Sequence, residues 1–89
     1  MKVEDLLCDK SKWTRGSFAK DISGENVTNN DPNAVCWCVF GAILKVYSNE
    51  VDLENAILKL SDTVGGGIVN FNDTHSYEEV ITDVRKAGI

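Results

Sequence analysis

The sequence predicts a mainly α domain, with about four helices around a central hydrophobic helix and a small β-hairpin between helices 1 and 2. Three observations carry this. The stretch Ala34–Leu44 is apolar or glycine throughout, and a helix that is hydrophobic all round must be wrapped by other elements. It is well short of the roughly 20 residues that cross a bilayer, so it reads as a core element and not a membrane span. Elsewhere apolar residues recur three and four apart, except between Ser17 and Thr28, where turn chemistry replaces the helical period.

The first helix is expected from Lys2 to Ser11, with Val3, Leu6 and Leu7 on one face and Glu4 and Asp5 near its positive end. Trp13 follows as a lid on the core. In the hairpin, Phe18–Lys20 pairs with Glu25–Val27 across Asp21-Ile22-Ser23-Gly24, which has Asp and Gly where a type I turn prefers them. The central helix is expected to start at Asp31-Pro32, a cap followed by a proline at the first helical position, and to end near Ser48-Asn49. Gly41 within it implies a neighbour at close range, because glycine there costs about 1 kcal/mol relative to alanine. A third helix capped by Asp52 carries Leu53, Ala56, Ile57, Leu60 and Val64 on one stripe and is stopped by Gly65-Gly66-Gly67. Ile68–Phe71 is expected to be short and extended. Ser76 and Glu79 form a capping box for a last helix from Tyr77 to Ala87, closed by Gly88.

A chain of 89 residues makes one domain, residues 1–89, with a single core. The net charge of −5, and no basic cluster beyond Lys10, Lys12 and Arg15 or the pair Arg85-Lys86, disfavour nucleic acid as a direct partner. The acidic N-terminus lacks the apolar run of a signal peptide, and the three cysteines are an odd number. Reduced thiols, a cytoplasmic location and no membrane association are therefore expected.

Two runs resemble a known pattern: Trp13–Gly24 (WTRGSFAKDISG) and Asp31–Ile43 (DPNAVCWCVFGAI). With Asn72-Asp73 before the last helix, they are similar to a family of small uncharacterised bacterial and phage proteins, a domain of unknown function. The matching residues are Trp13, Gly16, Ala19, Asp21, Gly24, Asp31, Ala34, Trp37, Cys38, Gly41, Ala42, Asn72 and Asp73. The resemblance spans nearly the whole chain and implies no established activity.

Several motifs invite chemistry. Cys36-Trp37-Cys38 could be a metal or redox pair, but residues two apart on a helix diverge by about 200°. Only Cys8 and His75 would remain to complete a zinc site, so core packing is the favoured reading. Asn72, Asp73 and His75 with Asp21 form the best polar candidate for a small enzyme or a ligand or metal site. Their ordinary reading is capping and loop bracing, since sequence neighbours rarely converge as a triad must. A divalent cation among Asp21, Asp31, Asp73 and Asn72 is a weaker alternative without a ligand-loop motif. Gly65–Gly67 lacks the lysine of a phosphate loop and reads as a flexible joint. Trp13, Arg15 and Phe18 could form a partner patch. No residue is assigned as catalytic, cofactor-binding or metal-ligating. The favoured function is an interaction or accessory module with an unidentified protein partner or self-association.

Overall fold

A computed structural model describes all residues, 1–89. Helix α1 (Val3–Leu6) is short and is followed by a 3-10 turn at Lys10–Lys12. The first helix thus breaks where one through Ser11 was expected. The helix ends at Leu7, and Asp9 opens a new turn, its carboxylate accepting from the Ser11 amide.

The hairpin forms as expected. Strands β1 (Ala19–Lys20) and β2 (Asn26–Val27) run antiparallel, with Ala19 opposite Val27. The turn between them is held by Gly24 N–H on the Asp21 carbonyl at 3.0 Å, and Gly24 has φ of 86°.

The chief correction concerns the apolar run. Its first part is a third strand, β3 (Cys36–Trp37), antiparallel to β1 with Ala19 opposite Trp37. The sheet order is β2-β1-β3. Only Val39–Val46 is helical, as α2. Asp31-Pro32 opens a turn instead of a helix: Asn33 N–H donates to the Asp31 carboxylate at 2.7 Å and Ala34 N–H to its carbonyl at 3.0 Å. Proline has the same φ at the first position of a helix and at the second of a turn, so the local signal is identical. The sheet decides, because β1 offers carbonyls that an extended Val35–Cys38 can reach. Val35 N–H donates to Lys20 O at 2.9 Å and Cys38 N–H to Phe18 O at 3.2 Å.

Helix α3 (Glu50–Val64) is capped by Asn49, whose Oδ1 accepts from the Val51 and Asp52 amides, three positions earlier than the Asp52 cap expected. Gly65 ends it with φ of 75°. A fifth helix, α4 (Ile68–Thr74), stands where an extended segment was expected. Its buried residues Ile68, Phe71 and Asn72 fall at i, i+3 and i+4. Helix α5 (Tyr77–Ala87) has the predicted box: Glu79 N–H donates to Ser76 Oγ at 3.2 Å, and Ser76 N–H to Glu79 Oε1 at 3.0 Å. Helix α2 packs against α1, α3 and α4, and α5 closes over α1 and α3. Fifteen buried hydrophobic residues form one cluster.

The box makes a measurable prediction. Ser76→Ala is expected to lower stability by about 1 kcal/mol. The Ser76 amide holds the Glu79 carboxyl below its ordinary value of 4.5. A depressed folded pKa gives stability that is present above 4.5 and lost as pH falls through the folded value. Urea midpoints measured between neutral and acid pH should therefore fall less steeply for Glu79→Gln than for the wild type.

Candidate functional site

Asn72 is the only buried polar residue, fully inaccessible on the inner face of α4. Its Oδ1 accepts from Trp13 Nε1 at 2.7 Å and from the Val39 amide at 2.9 Å. The second bond satisfies one of the orphan donors at the start of α2. Its Nδ2 donates to Thr14 O at 3.1 Å and to Asp73 Oδ1 at 3.2 Å. One side chain thus pins the segment Trp13-Thr14 to α4 and to the N-terminus of α2. Thr14 N–H also donates to Trp37 O at 3.0 Å, so the same segment is sewn to β3.

The neighbours continue this bracing. Asp73 Oδ1 also accepts from Gly16 N–H at 3.3 Å. Arg15 donates from its guanidinium to the His75 carbonyl and lies 5.1 Å over the Trp13 ring, a cation–π distance. His75 Nδ1 stands 2.9 Å from Phe71 O, and since a carbonyl only accepts, Nδ1 carries a proton. The structure therefore brings Trp13, Arg15, Asn72, Asp73 and His75 together. Asp21 bonds elsewhere. Its Oδ1 accepts from Ser23 Oγ, Ser23 N and Glu25 N in the hairpin turn, and the Ser23 hydroxyl above all holds its carboxyl below the usual range.

A cleft of about 320 Å3 opens beside this cluster, between the segment after Trp13 and α4, lined by Gly16, Ser17, Phe18, Cys38, Val69 and Asp73. Cys38 is at its floor as the N-cap of α2, its Sγ accepting from Gly41 N–H at 3.3 Å. Burial, with the charge of Asp73 adding to it, pushes the Cys38 thiol pKa up. A thiol held protonated is a poor nucleophile. The base that could activate it is elsewhere: His75 lines a separate polar depression with Glu78, Glu79, Thr82 and Asp83. No three His, Cys, Asp or Glu side chains come together to hold a metal ion.

The cleft does not end at Val69. That residue also lines a depression of about 310 Å3 with Phe40, Ile57 and Ile68, and Ile57 leads on to a third, about 230 Å3, with Leu53 and Leu58. The Phe18 and Phe40 rings, 5.6 Å apart, join the first to the second. The result is an apolar trough of adjoining depressions along Phe18, α2, α4 and α3. Its exposed apolar side chains are Phe18 at 46%, Val69 at 47% and Leu58 at 53%.

The profile of a family of unknown function, DUF6197, matches residues 1–88. The chain belongs to the DUF6197 family. No curated protein and no solved structure matches it. In this DUF6197 chain the residues quoted above for the resemblance fall largely on one connected structure: Trp13 on Asn72, Gly16 on Asp73, and Gly41 against Phe18. The suggested patch of Trp13, Arg15 and Phe18 divides. Trp13 and Arg15 are engaged inside the cluster, while Phe18 faces the trough. Val69 and Leu58 were not singled out from sequence. A signal for Leu58 was there, since it lies off the α3 core stripe and is apolar nonetheless.

Proposed function

We propose that this DUF6197 chain is a cytoplasmic interaction module of a bacterial or phage system, without chemistry of its own, that docks a protein partner along the trough. The observation that carries the reading is the continuity of the three apolar depressions through Val69 and Ile57. Contiguous exposed apolar surface is costly to leave in water and marks interaction sites, whereas single exposed side chains need no explanation. The polar cluster supports the same reading from the other side. Asn72 has each of its hydrogen-bonding groups occupied by the protein, and no buried side-chain nitrogen or oxygen lacks a partner. No helix is long and apolar enough to cross a membrane.

A second reading treats the first cleft as a small-ligand pocket, favoured by its volume and by the unpaired Oδ2 of Asp73. It is the weaker one, because the thiol is held neutral and the His75 imidazole lines a different depression.

The test uses the exposed face. Leu58→Asp and Val69→Asp each put a charge in the trough without touching the buried cluster. Both are expected to keep the wild-type melting transition within a few degrees and to reduce partner co-purification at least tenfold, the scale of central interface residues. Ile22→Asp is the control, since Ile22 is 92% exposed but isolated on the hairpin turn. Equal loss in all three variants, or a strict monomer with no partner, would sink the proposal.

A further inference from the structure

We infer that the occupant of the trough is a basic amphipathic peptide segment of another protein, its apolar side chains in the three depressions and its Lys or Arg side chains against Glu50, Glu54 and Asp73. This rests on the docking reading above and adds the chemistry of the partner. Every charged side chain lining the trough is a carboxylate: Asp73 at one end and Glu50 and Glu54 at the other. No lysine or arginine lines any of the three depressions. Two cationic residues are sequence neighbours of the lining: Arg15, next to Gly16, is turned onto the His75 carbonyl and the Trp13 ring, and Lys59, next to Leu58, lines a separate depression with Tyr47 and Asp52. The chain as a whole carries a net charge of −5, so the long-range field has the same sign as the rim.

That pattern discriminates among occupants. In a second copy docked trough to trough, the only charged groups that a rim carboxylate could meet are carboxylates. Like charges placed across an interface disfavour the pairing. A nucleic acid or an anionic lipid surface is repelled for the same reason. A peptide with a hydrophobic face flanked by lysines meets both features at once, as in other helix-in-groove complexes.

Three fluorescein-labelled peptides with one leucine stripe and a polar face of lysine, glutamine or glutamate test the inference by anisotropy. The lysine peptide should bind about tenfold more tightly than the glutamine peptide at low salt, the scale of two or three rim ion pairs, and the glutamate peptide most weakly. The difference should shrink at high salt and in the Glu50→Lys/Glu54→Lys variant. Leu58→Ser with Val69→Ser should weaken all three, since it removes apolar contact without changing charge. If the three peptides bind equally and all weaken in the serine variant, docking stands and the basic partner is overturned. If the serine variant changes none of the titrations, the docking reading itself fails. If the chain dimerises and Leu58→Asp makes it monomeric, a second copy is the occupant and the inference is wrong.

Discussion

Replacing Asn72 by alanine is expected to lower the unfolding free energy by about 4 kcal/mol, a large part of the roughly 5–15 kcal/mol typical of a domain. The alanine would strand the Trp13 indole N–H, the Val39 amide and the Thr14 carbonyl, all now bonded to one amide. A stranded buried group costs about 1–3 kcal/mol, and a water entering the vacated space would recover part of that. Asn72→Asp separates this explanation from simple loss of volume. Its oxygens would keep both acceptor bonds but turn one oxygen toward the Thr14 carbonyl and the Asp73 carboxylate. Burial and that like charge should raise the new carboxyl's folded pKa above the unfolded value of about 3.9. An acid whose folded pKa is raised destabilises above its unfolded pKa, and the loss shrinks as pH falls through the folded value. Urea unfolding should therefore show the Asn72→Asp deficit narrowing on acidification while that of Asn72→Ala stays nearly constant. Parallel deficits for the two variants at every pH would contradict the bonding pattern assigned to Asn72.

The second large effect is expected at Gly41. A Cβ there would lie 2.1 Å from Phe18 O and 2.9 Å from its carbonyl carbon. The obstacle is the Phe18 backbone, immediately before β1, and the same oxygen accepts from the Cys38 amide at the start of α2. Gly41→Ala must therefore push β1 and α2 apart, with a cost of about 3 kcal/mol from overpacking and the weakened bond. That exceeds the roughly 1 kcal/mol of helix propensity gained. Gly66→Ala is the matched control, because nothing lies within 4 Å of its added methyl. It should be neutral or slightly stabilising. Thermal melts of the two variants would decide the point, and a neutral Gly41→Ala would mean that α2 and β1 do not meet as described.

How far the sequence foretold this structure depends on where the deciding contact lies. The hairpin, the Gly65 and Gly88 stops and the Ser76 box were legible because each is set by residues within about four positions. The close approach implied by Gly41 was legible too, though not that Phe18 would be the neighbour. Strand β3 was not, because an all-apolar run has no period to tell strand from helix. Its state is set by β1, some sixteen residues earlier, as the Cys36–Lys20 pairing shows. Helix α4 was hidden by Asn72 itself. A buried asparagine occupies a core position of the stripe Ile68, Phe71, Asn72, yet by local propensity Asn-x-Asn-Asp reads as loop. Of the residues named for a polar site, Asn72, Asp73 and His75 adjoin Trp13 and Arg15, whereas Asp21 is held in its own turn. The trough as a whole could not be read, since Phe18, Val69 and Leu58 come from three separate parts of the chain and only the packed fold aligns them.

The central claim is that the polar cluster braces the fold while the trough meets the partner. A photo-crosslinking residue placed in turn at Val69, Leu58, Ile22 and Thr82 in host cells tests it most directly. Thr82 lies on the polar depression with His75, and Ile22 on the hairpin turn. Crosslinks to one common protein from Val69 and Leu58, with none from Ile22 or Thr82, are the predicted result. Crosslinks concentrated at Thr82, or spread evenly over all four positions, would contradict it.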